Sequence, residues 1–230
     1  MTQHETIALL QSNSLATLVQ SEIESRILEG AIPAGAKLTE ATLAQQLGVS
    51  RGPVREAFRM LEEAGLVRTE KNRGVFVRSI PLQEVLEIFE LRAVLEQVVG
   101  AKAAQRASAA DVRELKALLR EMDQAAKQGN ASAFHHGNLV FHDRLFELAG
   151  NTKLTAVYKR LVNELRLCRR QNLSAESMKV FAAEHKEIVR CIAAGDSDGA
   201  AHAMLVHVHG SRDRTVAHYQ QQAHSAGTAD

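Results

Sequence analysis

The 230-residue sequence has little cysteine and no long apolar run. Its two cysteines, Cys168 and Cys191, are too few for the disulfide framework of a small secreted domain, and both fall in helical patterns, so we expect buried thiols. No apolar stretch approaches the ~18 residues that indicate a membrane span. The N-terminus lacks the basic segment and apolar core of a secretory signal. These absences favour a soluble, cytoplasmic protein.

The chain also lacks an excess of either charge, since its formal net charge is only +1. This balance at first argues against a nucleic-acid-binding protein, which needs cations to displace the counterions of the phosphates. The cations are nevertheless concentrated, because residues 51–78 contain seven Lys or Arg and four Asp or Glu. We therefore predict a local basic surface in this part of the chain.

Proline is absent after Pro81, and the sequence changes character at that point. The length allows one large or two ordinary domains, and the change favours two. We predict a first domain at 14–80 and an all-helical domain at 81–222. The polar segments 1–13 and 223–230 are expected to be a flexible arm and tail.

Residues 43–65 have the pattern of a helix-turn-helix. The first helix ends at Gly48, and the second begins after Ser50, a residue type that caps helix N-termini. Pro53 falls in the first turn of the second helix, where its missing N–H costs nothing. Apolar residues form the buried stripe of that helix, namely Val54, Ala57, Phe58 and Leu61. Arg51, Arg55 and Arg59 share another face, and their guanidinium groups suit phosphate and guanine contacts.

The flanking sequence completes a recognisable unit. A helix is predicted from Ser14 to Gly30, a turn with a short extended piece follows, and the next helix opens at Thr39 or Glu40. Residues 66–70 and 74–78 read as two strands of a hairpin, whose tip is Lys71, Asn72 and Arg73. This hairpin is interpreted as a wing that contacts the minor groove or phosphates; the alternative is an ordinary solvated turn.

These motifs closely resemble the GntR family of winged-helix bacterial repressors. The resemblance covers about the first third of the chain and is carried by Gly48-Val-Ser-Arg-Gly-Pro-Val-Arg-Glu-Ala57, Leu61-Glu-Glu-Ala-Gly-Leu-Val67 and Arg73-Gly-Val-Phe-Val77. It implies a winged helix-turn-helix of three helices and a two-stranded wing. Arg51 and Arg55 would read bases, with Ser50, Gly52 and Arg59 near the DNA backbone and Lys71, Asn72 and Arg73 at the wing.

The region after Pro81 is helical throughout. Six helices are predicted at about 82–107, 109–128, 131–149, 152–172, 174–194 and 197–221. The fold class is therefore mainly α, with a winged helix-turn-helix followed by an all-α six-helix bundle.

Three of these helices carry residues that could meet at a metal ion. Asn138 and His142 lie four residues apart and project from one face, while His185 and His207 occupy two later helices. If the helices meet inside a bundle, one oxygen and three imidazoles would suit a divalent transition metal. Each histidine could equally be an ordinary polar residue of its helix.

The same region resembles the FCD effector domain that defines the FadR subfamily of GntR regulators. The matching motifs are Phe89-Glu-Leu-Arg-Ala-Val-Leu-Glu96, Asn138-x3-His142, Glu184-His185, Gly195-Asp196 and Met204-x2-His207. The resemblance implies that Asn138, His142, His185 and His207 are metal ligands, with zinc as the first choice and nickel or manganese as alternatives. Many relatives have Asp at the position of Asn138, and a neutral amide oxygen binds a cation less strongly than a carboxylate does.

Arg92 has two interpretations. It could clamp the carboxylate of a small organic acid in a bidentate manner, making it a candidate effector-binding residue. It could instead form an i, i+4 salt bridge with Glu96.

The sequence thus predicts a ligand-responsive transcription regulator, a repressor by first choice, that binds a palindromic operator as a homodimer. Its partners would be double-stranded DNA and a small organic acid. One alternative is a metal sensor whose effector is the ion itself. The other is a metal-dependent hydrolase with Glu184 as base, which is disfavoured because adjacent helical residues point about 100° apart, so Glu184 would point away from a metal on His185.

Overall fold

The computed structural model describes residues 14–168 and 174–227 of the chain. Within these residues it forms nine helices and three short strands, divided between two compact units. The predicted arm at 1–13, the helix end placed at 169–172 and residues 228–230 of the predicted tail lie outside the described residues.

Three helices open the first unit where the sequence predicts them. They are α1 (Leu15–Leu28), α2 (Glu40–Leu47) and α3 (Arg51–Glu63). The hydroxyls of Ser14 and Thr39 cap α1 and α2 by accepting a backbone N–H three residues on, and Gly48 ends α2 in the left-handed conformation that glycine adopts without cost. Ser50 occupies the N-cap position of α3, but its side chain makes no capping hydrogen bond, contrary to expectation.

The wing is confirmed, and it belongs to a larger sheet than expected. Strands β2 (Val67–Glu70) and β3 (Gly74–Val77) pair in antiparallel fashion, and β1 (Lys37–Leu38) adds a third strand on the other side of β3. A two-residue strand carries too little periodicity to be predicted, so the sequence indicated only an extended piece. Asn72 turns the wing tip at a φ of 61°.

The core of the first unit lies between α1, α3 and the sheet. The predicted stripe of α3 is buried as expected and packs with Ile23 of α1 and Leu66 before β2. Glu62 of α3 accepts hydrogen bonds from the backbone N–H and hydroxyl of Thr69, at 2.7 and 2.9 Å. The wing is therefore tied to the helix beside it.

Six further helices confirm the predicted all-α region. They are α4 (Leu82–Arg106), α5 (Ala109–Lys127), α6 (Ala131–Ala149), α7 (Thr152–Cys168), α8 (Ala175–Ala193) and α9 (Ser197–Gly227). Helix α7 is shared, because Lys159–Cys168 group with the first unit and the residues up to Tyr158 with the second. The last helix continues to Gly227, beyond the predicted boundary at residue 222.

Helices α4 and α9 pack together most extensively in the second unit, while α5, α6 and α8 pack around them. A Cβ on Gly100 would lie 2.6 Å from the carbonyl oxygen of Ala200, so glycine allows α4 and α9 to approach closely. Phe89, Phe134, Phe141 and Phe146 are almost fully buried in this core. Of the two thiols, Cys191 is buried and Cys168 is only half-buried. No helix within the described residues is long and apolar enough to cross a membrane.

Candidate functional site

The predicted DNA-contacting residues lie on the surface of the first unit. Helix α3 presents its arginines on the face opposite the core, and the wing tip is exposed as well. All eight residues are exposed: Ser50, Arg51, Gly52, Arg55, Arg59, Lys71, Asn72 and Arg73.

Arg55 is held in place by a partner that sequence reasoning did not find. Its Nε and one terminal nitrogen donate to the two carboxylate oxygens of Glu40 on α2, each at 2.8 Å. The hydrogen bond from Arg55 lowers the pKa of Glu40, and the same bond raises the pKa of Arg55. Such a fork fixes the direction of the guanidinium while leaving its outer edge available.

Lys37 is a second cation that the sequence pattern did not single out. Its ammonium lies 5.9 Å from the ring centroid of Phe76 in β3, and the guanidinium of Arg73 lies 5.6 Å from the same centroid. The pairing of β1 with β3 causes this, because Lys37 stands opposite Phe76. Residue 37 precedes Arg73 by 36 positions, so no local motif could have revealed the proximity.

The three predicted histidines meet inside the second unit. His142 of α6, His185 of α8 and His207 of α9 are all buried, and each offers a ring nitrogen within 4.8 Å of the others. The Nε2 atoms of His142 and His185 are 3.4 Å apart. Two imidazole nitrogens on one tetrahedral zinc ion, each about 2.1 Å from the metal, would be about 3.4 Å apart. The spacing therefore fits a divalent metal.

The Nδ1 side of each ring faces an acceptor, which directs Nε2 toward the cluster. His185 Nδ1 is 2.6 Å from the carbonyl oxygen of Phe181; because a carbonyl only accepts, this nitrogen carries the proton. His207 Nδ1 is 2.8 Å from Glu184, and His142 Nδ1 is 3.4 Å from Glu96. Metal-binding histidines characteristically have such partners on the other ring nitrogen.

Burial also keeps His185 in the form that binds metals. Loss of solvation lowers its pKa to about 4, against the smaller effects of the Phe181 carbonyl and Glu184, which raise it. The imidazole is therefore neutral at pH 7, as metal coordination requires.

Asn138 provides the remaining oxygen of the predicted ligand set. Its Oδ1 is buried and accepts no hydrogen bond from the described residues. An unsatisfied buried carbonyl is costly, so an atom of this kind calls for a partner. A cation at the histidine cluster is a chemically suitable one, since amide oxygens bind divalent metals.

Arg92 forms the salt bridge that was one of its two interpretations. Its guanidinium donates to Oε1 of Glu96 at 2.7 Å, and both side chains are almost fully buried. The guanidinium also lies 5.3 Å from the ring centroid of Phe89 and 5.8 Å from that of Tyr158. Glu96 and Tyr158 also lie close to His142, at 3.4 Å from its Nδ1 and at 6.4 Å between ring centroids. The packing of separate helices creates these contacts, so no sequence motif indicated them.

Comparison with known proteins confirms the two family resemblances, one in each part of the chain. Residues 15–77 match the family of bacterial regulatory proteins called gntR, and residues 87–210 match the FCD domain. The chain is 30% identical over 221 residues to the probable D-xylose utilization operon transcriptional repressor of Paenarthrobacter nicotinovorans, covering 96% of this chain and 94% of that protein. It is 32% identical to the Nta operon transcriptional regulator of Aminobacter aminovorans, covering 76% of this chain and 81% of the relative.

Solved structures show the same architecture. McbR/YncC of E. coli superposes with a TM-score of 0.78 at 21% identity, covering 90% of this chain and 99% of the other, which supports the fold alone. A putative GntR regulator from Rhodococcus sp. RHA1 gives 0.72 at 26% identity, covering 89% and 99%. Members of this family regulate transcription and are not enzymes, so the hydrolase alternative is wrong. The chain is a transcriptional regulator that belongs to the GntR family, in the FadR-like group whose second domain is an FCD domain.

Proposed function

We propose that this regulator represses its target genes by binding a palindromic operator as a homodimer, and that a small carboxylate effector bound beside a metal ion controls the binding. The observation that carries the DNA-binding half is the exposed arginine face of α3, backed by a fully buried apolar stripe. Relatives named as repressors of the D-xylose and gluconate operons support the negative sign of regulation.

In this proposal Arg51 and Arg55 read base edges from the major groove. Arg55 reaches the DNA while Glu40 holds its inner edge, so little side-chain freedom is lost on binding. Ser50, Gly52 and Arg59 approach the backbone of the DNA, and a Cβ at Gly52 would meet nothing within 4 Å in the protein, so the space there remains for a phosphate. Lys71, Asn72 and Arg73 contact phosphates or the minor groove from the wing.

We infer a homodimer from the small number of base pairs that the helix-turn-helix of one protomer can contact. A single helix-turn-helix reads only a few base pairs, and two copies on a two-fold axis provide the half-site spacing of a palindrome. An exposed apolar stripe on helix α4 is a candidate surface for the contact between the two protomers. Leu91, Val94 and Val98 are 54%, 62% and 41% exposed and lie on one face of the helix.

The metal ion would be held by Asn138, His142, His185 and His207. Three neutral nitrogens and an oxygen favour a divalent transition metal, with zinc as the first choice. When bound, the ion would supply a Lewis-acidic position for an oxygen of the effector. The chain's own contribution is to bury the site and to orient each ring by its Nδ1 partner.

The effector carboxylate would also engage Arg92. Because Arg92 is already paired with Glu96, the effector must share the guanidinium with that side chain rather than find it vacant. An effector can alter DNA binding only by the difference between its affinities for two arrangements of the protein. Its binding must therefore favour the arrangement that does not bind the operator.

The test of the DNA half is the substitution Arg55→Ala. Binding should be measured by gel shift on the operator that the wild-type protein selects from a random-sequence pool. We expect specific binding to be abolished while the dimer persists in sedimentation, because each protomer loses about 1–3 kcal/mol of base recognition. Arg113→Ala, an exposed arginine of α5, is the matched control. Unchanged operator binding by Arg55→Ala would refute the assignment.

The proposed metal site is tested by substituting its ligands and by removing the metal with a chelator. Replacing His185 and His207 by Ala should remove the bound metal in elemental analysis, and full retention would show that the ligand set is wrong. In the wild-type protein, chelation also separates the proposal from a metal sensor. Operator affinity that follows the metal without any organic acid supports the sensor, whereas affinity unchanged by chelation counts against it.

A further inference from the structure

Behind His207 lies a fixed arrangement of three residues from two helices. Glu184 of α8 accepts a 2.8 Å hydrogen bond from Nδ1 of His207 through its Oε2 atom. The side chain of His207 is 2% exposed and that of Glu184 is 15% exposed, so the bond lies largely out of water. Hydrogen bonds to a carboxylate in such surroundings are strong and directional.

Glu184 is itself held by a second partner. Arg214 of α9 donates its two terminal nitrogens to the two oxygens of Glu184, at 2.9 and 3.0 Å. The Arg214 guanidinium lies 3.8 Å from the ring centroid of Phe181, which restricts its movement from the other side. Because the guanidinium binds both carboxylate oxygens and is itself packed on an aromatic ring, it fixes the orientation of the Glu184 carboxylate.

Gly210 provides the space for this pair. A Cβ at residue 210 would lie 2.8 Å from Oε1 of Glu184 and 3.0 Å from a terminal nitrogen of Arg214. His207, Gly210 and Arg214 lie three and seven residues apart and therefore share one face of α9. Along this face of α9, the imidazole of His207 is followed by Gly210, which has no side chain, and then by the guanidinium of Arg214.

We propose that Glu184, braced by Arg214 across Gly210, is a positioning residue that keeps His207 with its proton on Nδ1 and its Nε2 lone pair turned toward the histidine cluster. The inference rests on the proposed metal site and adds a role for residues that do not touch the ion. Partners of this kind orient the ring and raise its basicity, and their loss lowers metal affinity by about 10–100-fold. The competing explanation is a salt bridge that only joins α8 to α9.

The first measurement concerns the ring itself and needs no metal. Nitrogen-15 NMR of the metal-free protein distinguishes the two neutral forms of an imidazole. We expect His207 to carry its proton on Nδ1 in the wild-type protein. A His207 ring that carries it on Nε2 would overturn the proposal, because Glu184 would then not be its acceptor.

The second measurement is a competition titration with Zn²⁺ against a chromophoric chelator. Glu184→Gln removes the charge while keeping the shape, and we expect Zn²⁺ affinity to fall about 10–100-fold. The melting temperature of the metal-free protein measures separately how much the pair of Glu184 with Arg214 contributes to stability. Glu187→Gln is the matched control, because Glu187 lies one turn further along α8 and binds Arg190 instead of a histidine. Equal affinity of Glu184→Gln and wild type would refute the positioning role.

A third variant separates this inference from the metal site on which it rests. If His207→Ala binds Zn²⁺ as wild type does, the proposed ligand set fails; if only Glu184→Gln does so, the positioning role alone fails. Should Glu184→Gln not fold, Gly210→Ala takes its place, because the added Cβ must displace the carboxylate. Wild-type Zn²⁺ affinity in a folded Gly210→Ala protein would likewise contradict the proposal.

Discussion

At the scale of single residues, the chemistry of this protein depends on which atom of a side chain is already engaged. Arg55 and Arg92 each form a salt bridge with a glutamate, Arg55 with Glu40 and Arg92 with Glu96. Arg55 is nevertheless exposed on α3, whereas Arg92 is buried together with its partner. The first can offer an edge to DNA at little cost. The second must share its charge, because a buried carboxylate left without a partner would cost several kcal/mol.

Gly65 illustrates a residue whose neighbour comes from far along the chain. Its φ is +78°, and an added Cβ would lie 2.6 Å from Oε1 of Glu164 in α7. Glu164 cannot move away freely, because its carboxylate is buried and bonded to Arg78 at 2.9 Å. The sequence pattern placed the end of the helix-turn-helix at Gly65 and gave no sign of this neighbour.

We expect Gly65→Ala to destabilise the protein more than Gly30→Ala. Gly30 has a similar φ of +82° but nothing within 4 Å of its added Cβ, so the pair separates backbone strain from crowding. The excess should be about 1–3 kcal/mol, the cost of inserting a methyl group into a packed site. Urea unfolding of the two variants measures it, and equal destabilisation would show that Glu164 yields without cost.

At the scale of elements, most helix boundaries follow from local chemistry. Ser108 and Asp111 form a capping box at the start of α5, each side chain accepting the backbone N–H of the other. Ser174 caps α8 without such a carboxylate, through the N–H of Ser177. These starts were predictable, because a cap needs only residues three positions apart.

The capping box predicts a pH dependence. Hydrogen bonds from the Ser108 hydroxyl, and then from its backbone N–H, lower the pKa of Asp111 below 3.8 in the folded state. A lowered carboxyl pKa stabilises the fold above the unfolded pKa, and this stabilisation is lost as the pH falls through the folded value. Ser108→Ala should therefore cost about 1 kcal/mol near neutral pH and less near pH 2.

The matched variant for this prediction is Ser174→Ala. Its capping bond involves no titrating carboxylate, so its cost should be the same at both pH values. Urea titrations at pH 7 and near pH 2 provide the comparison. A Ser108→Ala cost that does not change with pH would exclude the Asp111 linkage.

At the scale of the whole molecule, a net charge of +1 coexists with a concentrated basic surface. DNA binding by such a surface releases counterions from the phosphates, so affinity should fall steeply with salt. The wing lysine, Lys71, is exposed and proposed to bind a phosphate. Its contribution should appear in the salt dependence rather than in the choice of sequence.

We expect Lys71→Ala to weaken operator and random DNA alike. The slope of log affinity against log salt should decrease by about one for each phosphate that the protein no longer neutralises. Fluorescence anisotropy over a series of salt concentrations measures the slope. Lys127→Ala, at the end of α5, is the control that should leave it unchanged. An unaltered slope for Lys71→Ala would remove the wing tip from the interface.

The sequence by itself determined the helices, the turn, the wing and the family, because caps, glycine stops and apolar periodicity act between residues a few positions apart. It also named the three histidines, through their motifs. The tertiary structure alone decided what faces each side chain: Glu40 on Arg55, Glu184 and Arg214 behind His207, and β1 beside β3. These interactions join residues 15 to 39 positions apart on separate elements, and only the packing of those elements brings them within bonding distance.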